Sequence, residues 1–129
     1  MTDAPAFRWD HVHLRSSDPD AAARHYVEVF GATHRDRTES GDTLRVTVDL
    51  AGLPLFIDRI GPERGAPPEP PFRGLEHFGL RVDDLDAALA ALEARGGDVV
   101  VRPHAPRPGL RIAFLRGPDD VRIELLQRG

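Results

Sequence analysis

The chain of 129 residues contains no cysteine and no lysine, and all 17 of its basic residues are arginine. The first absence removes thiolate nucleophiles, thiolate metal ligands and any disulfide framework; the second removes Schiff-base chemistry. No apolar run approaches the roughly 20 residues that a membrane-crossing helix needs, so no membrane segment is expected. Nor is positive charge gathered anywhere. The formal net charge is −4, and arginines are interspersed with acids rather than aligned in a basic stripe, which argues against nucleic acid as a partner. The opening MTDAPAFRWD has neither the basic start nor the apolar core of a secretory signal, and a cytoplasmic address is the expectation. With 40% apolar and 29% charged residues, the composition is that of an ordinary globular protein, and one domain over residues 1–129 is expected.

What is present is a repeat. Displacing the sequence by 66 positions lays His77 on His11, Leu80 on Leu14, Arg81 on Arg15, Asp84 on Asp18, Asp86 on Asp20 and Gly97 on Gly31. The same displacement lays Glu124 on Asp58, so that each half carries a histidine and, 47 residues later (58 − 11 and 124 − 77), a carboxylate.

Each half reads as β-α-β-β-β. Residues 7–16 alternate as a strand, with Val12 and Leu14 on one face and His11, His13 and Arg15 on the other. Ser17 or Asp18 caps a helix in which Ala23, Tyr26, Val27 and Phe30 share a face, and Gly31 ends it. Strands are expected near 33–37, 44–50 and 53–60. Residues 61–73, GPERGAPPEPPFR, hold five prolines and suit only an extended connector. The second half repeats the order, with a strand over 75–82 and a helix capped by Asp83 or Asp84. Strands follow near 98–102, 110–115 and 121–126, with HAPRPG and RGPDD as turns. The expected fold is α+β: tandem βαβββ modules forming a curved eight-stranded sheet with helices on its outer face.

Strand parity puts the polar repeat positions together. Asp58 faces away from Leu55 and Ile57, and Glu124 faces away from Ile123 and Leu125, as His11 and His77 do from Val12 and Phe78. Two imidazoles and two carboxylates on one side of a sheet suit a divalent ion such as Ni, Zn, Co, Mn or Fe(II), with coordination positions left for two adjacent substrate oxygens. The alternative is that duplication copied polar strand positions that pair among themselves. Arg15 and Arg81 share the face and suit an anionic group; His13, next to them, suits a supporting or cleft-lining role.

The segments HVHLRSSDPDAA (11–22), LEHFGLRVDDLDAALAALEARGG (75–97) and IAFLRGPDDVRIELLQ (112–127) resemble the vicinal oxygen chelate superfamily, most closely bacterial glyoxalase I, over nearly the whole chain. The resemblance implies paired βαβββ modules, a metal held by His11, Asp58, His77 and Glu124, a homodimer, and Arg15 on the carboxylate of a thiol cofactor, glutathione. Two departures bear on substrate. Asp58 stands where glyoxalase I has Glu, and Pro62 stands where the bacterial lyases carry an asparagine that holds glutathione.

The activity this implies is that of a metal-dependent lyase or isomerase that moves a proton beside a carbonyl through an enediolate. Of the two catalytic carboxylates, Glu124 is the preferred base over Asp58, because its longer side chain swings off the metal more readily. Rival readings are an Fe(II) dioxygenase, against which a fourth protein ligand at Asp58 counts, and a thioester epimerase using the same enolate chemistry. A metal-free binding protein of the bleomycin-resistance type is the reading from another class. It calls for aromatic stacking surfaces, and the chain has only one Trp, one Tyr and six Phe.

Overall fold

The computed structural model describes residues 4–129. Module one runs β1 (Val12–Ser16), α1 (Pro19–Phe30), β2 (Thr33–Ser40), β3 (Thr43–Leu50) and β4 (Leu53–Arg59). Module two runs β5 (Phe78–Arg81), α2 (Leu85–Ala94), β6 (Asp98–Arg107), β7 (Leu110–Arg116) and β8 (Arg122–Arg128), with a 3₁₀ turn at Pro118–Asp120 before the last strand. The fold is α+β as expected, and its eight strands divide into two mixed four-stranded sheets, ordered β1-β4-β3-β2 and β5-β8-β7-β6. In each sheet the first strand lies parallel to the fourth, the remaining ladders are antiparallel, and the helix is the crossover that parallel pairing requires.

The helices start where the caps place them. The side chain of Asp18 accepts from the backbone N–H of Ala21 at 3.1 Å, and that of Asp84 accepts from Ala87 at 3.0 Å, each satisfying one amide that the first turn leaves open. Gly31 closes α1 in the left-handed conformation (φ 74°) with its N–H on Val27.

Two differences from the expected strands have clear causes. Residues 7–11 do not join β1: Val12 pairs with Leu55, and the residue before Leu55 is Pro54, which has no N–H to offer a ladder. Phe7 and Trp9 therefore stand 83% and 90% exposed. Conversely, β6 runs through Pro103 and Pro106 to Arg107 instead of turning at HAPRPG; it is an edge strand whose register slips three times, and edge positions tolerate proline.

The apolar strand faces meet the helices. One core gathers Tyr26, Leu55, Ile57, Val46 and Val48 beneath α1, and a second gathers Leu85, Leu89, Leu115 and Leu125 beneath α2. Ile123, fully buried, sits on β8 yet packs in the first core, and Phe30 touches both. Replacing Ile123 with Ala is expected to cost about 2–4 kcal/mol in urea denaturation. Because Phe30 and Leu80 still pack against both cores, the variant should unfold in one transition.

Candidate functional site

On the polar face of module one, β1 offers His11, His13 and Arg15, β4 offers Phe56 and Asp58, and β3 offers Arg45. The Arg45 guanidinium grips Asp58 with both ends: Nε donates to Oδ1 at 2.7 Å and Nη2 to Oδ2 at 3.0 Å, the fork geometry that makes such pairs strong. His13 Nε2 lies 3.0 Å from Asp58 Oδ2, and the exposed Arg15 reaches only to 4.0 Å. The Arg45 hydrogen bond, helped by Arg45 and His13 charge, holds the Asp58 carboxyl below the usual carboxylate range. His11 goes elsewhere. Its ring stacks on Phe56 at 4.1 Å between centroids, and its Nδ1 lies 2.6 Å from Asp10.

On the matching face of module two, His77 Nε2 stands 3.6 Å from Glu124 Oε1. The other ring nitrogen, Nδ1, is 2.9 Å from Glu76, which also accepts from Arg122 Nη1 at 3.0 Å. A Nδ1–H donated to Glu76 leaves the Nε2 lone pair facing Glu124, the arrangement by which carboxylates orient metal-binding and proton-transferring histidines. Hydrogen bonding from His77 and the charge of Arg122 hold Glu76 low. Arg122 in turn lies over the Phe114 ring at 4.0 Å. Gly79 makes room for the pair, because a Cβ there would stand 3.1 Å from Glu124 Oε1 and 3.2 Å from Leu126.

The modules differ in register by two residues. Val12 pairs with Leu55, whereas its repeat partner Phe78 pairs with Ile123. The displacement is thus 66 on the first strands (78 − 12) but 68 on the fourth (123 − 55). Glu124 corresponds in space to Phe56, and Asp58 to Leu126. The side chains agree: His77 has Glu124 beside it where His11 has Phe56. The expected equivalence of Asp58 and Glu124 is corrected accordingly. Among the described residues, no three His, Asp or Glu side chains gather as an ion site; His77 meets Glu124 and Asp58 meets His13, but His11, Asp58, His77 and Glu124 do not converge.

Between β1 and β5 lies a cleft of about 810 Å³ that His13 and His77 both line, with Glu76 and Arg122 as further polar groups and Phe72 and Phe78 among the apolar ones. Pro67, Pro68 and Pro70 of the connector close one side. Arg81 is exposed and does not line it. Glu76 and Asp10 were legible as an acid preceding each repeated histidine, at the same displacement of 66 (76 − 10); Arg45 and Arg122 carry no such mark.

A sequence model of the glyoxalase/bleomycin resistance protein/dioxygenase superfamily matches residues 8–125. The chain belongs to this superfamily. It is 28% identical over 123 residues to an uncharacterised Escherichia coli protein, YaeR, covering 92% of this chain and 94% of that one. It is also 28% identical to an Arabidopsis thaliana protein named "Probable lactoylglutathione lyase, chloroplastic", covering 92% of this chain but spanning only 35% of that protein. A glyoxalase family protein from Enterococcus faecalis superposes with a TM-score of 0.80 at 21% identity, over 93% of this chain and 97% of the other.

Two outcomes are expected of the superfamily face. Asp58→Asn should lower stability to urea by about 1 kcal/mol at neutral pH. A depressed carboxyl stabilises the fold above its unfolded value and loses that contribution as pH falls through the folded one, so the gap should close below about pH 4. Gly79→Ala should displace Glu124 from His77, read as a change in the His77 ring chemical shifts by NMR at fixed pH with little loss of stability.

Proposed function

We propose that the chain is a glyoxalase-like lyase or isomerase that moves a proton beside a carbonyl in a small substrate bearing two adjacent oxygens. The observation that carries this reading is the His77–Glu124 pair at 3.6 Å, braced by Glu76 and opening on the cleft through His77. Glu124 is the proposed base. Among the described residues no arginine holds it, unlike Asp58 in the grip of Arg45, so it is the carboxylate with freedom to take a proton from carbon and return it to the neighbouring one. His13, across the cleft, suits the substrate's oxyanion, and Arg122 is placed to favour developing negative charge; Arg15 is exposed and does not line the cleft. A divalent ion, of the Ni, Zn, Co, Mn or Fe(II) group, would draw on His77 and Glu124 and would supply polarisation of the two oxygens.

Glutathione as co-substrate is part of the proposal only through the lyase named among the relatives. The test is turnover of 2-oxoaldehydes with glutathione, which adds to them as the hemithioacetal, and without it, alongside thioester epimers and catechols. Glu124→Gln should lower kcat by about 10²–10⁴-fold with KM little changed; full turnover in that variant would remove Glu124 from the role. A homodimer is also proposed. The outer edges of β1 and β5 carry no ladder among the described residues, and Phe7, Trp9 and Leu75 are exposed beside them. Sedimentation should give twice the 14.2 kDa chain mass.

A further inference from the structure

We infer that Asp58 is not a ligand of any divalent ion this protein takes, that its place in the donor set is occupied by Phe56, and that the ion site carries a single carboxylate, Glu124. Three observations converge on this. The parallel register sets Phe56, not Asp58, at the position of Glu124. The repeated histidines have these residues as their neighbours, a phenyl ring stacked on His11 and a carboxylate beside His77. Both oxygens of Asp58 are already taken, Oδ1 by Arg45 and Oδ2 by Arg45 and His13, so binding an ion there would first break a two-pronged charged contact.

The two modules have therefore diverged in work. In module two, Gly79 and Leu126 stand where module one has His13 and Asp58, and the acid beside the histidine is kept. In module one the acid has moved one pleat along β4, where it holds His13 and Arg45 on the polar face and Arg45 also covers Phe56 at 4.6 Å. A divalent ion with one carboxylate keeps a net positive charge, whereas two carboxylates would cancel it.

The experiment is equilibrium dialysis of Mn(II), Ni(II) and Zn(II) against wild type, Asp58→Asn, Glu124→Gln and Phe56→Glu, with the fold of each checked by circular dichroism. The expected result is that Asp58→Asn retains wild-type ion affinity, Glu124→Gln loses about tenfold or more, and Phe56→Glu gains about tenfold by restoring the second carboxylate. If wild type holds no ion, a Phe56→Glu protein that acquires one gives the same support. Loss of the ion in Asp58→Asn, with its fold intact, overturns the inference, and so does a folded Phe56→Glu protein that gains no affinity. These readouts do not involve turnover, so failure of the proposed reaction leaves them unchanged.

Discussion

The parallel pairing of the first strand with the fourth is the constraint on which the rest of each module depends. It forces a crossover, which the helix supplies; it fixes which apolar residues meet that helix; and it decides which residue of the fourth strand stands diagonally across from the repeated histidine. Module two resolves that diagonal as His77 and Glu124. Module one resolves it twice, as His11 with Phe56 and, one pleat further, as His13 with Asp58. The chemistry available to each face follows from where the ladder begins.

Much of this was legible in the residues. The acidic caps at Asp18 and Asp84, the helical face of Ala23, Tyr26 and Phe30, the proline connector and the order βαβββ all follow from local rules that tertiary packing did not override. The pairing of Asp58 with Glu124 was not recoverable in the same way. A displacement of two along a strand preserves which face a side chain points to, so parity cannot distinguish Asp58 from Phe56 as the partner of Glu124. Only the hydrogen-bonded register does so. The overlong first strand had a different cause: alternation continues through Trp9 and Phe7, while the next partner position on β4 is Pro54, which has no N–H to give the ladder.

The carboxylates illustrate how one residue type takes opposite roles under different neighbours. Asp58 is fixed by a planar cation that satisfies both its oxygens, and the cation is itself held over an aromatic face. Glu76 is fixed by Arg122 and by the imidazole it orients. Among the described residues Glu124 has no arginine clamp and only the His77 imidazole at 3.6 Å beside it, and the glycine at position 79 leaves its carboxylate room to move.

The connector between the modules has one further consequence. Five of its thirteen residues, Gly61 to Arg73, are prolines, so its path is set by ring-restricted torsions and not by ladders shared with either sheet. Pro67, Pro68, Pro70 and Phe72 nonetheless form part of the cleft wall. The shape of the cleft wall and the integrity of the scaffold are thus encoded in separate stretches of chain: the connector contributes Pro67, Pro68, Pro70 and Phe72 to the wall without adding a strand to either hydrogen-bonded framework.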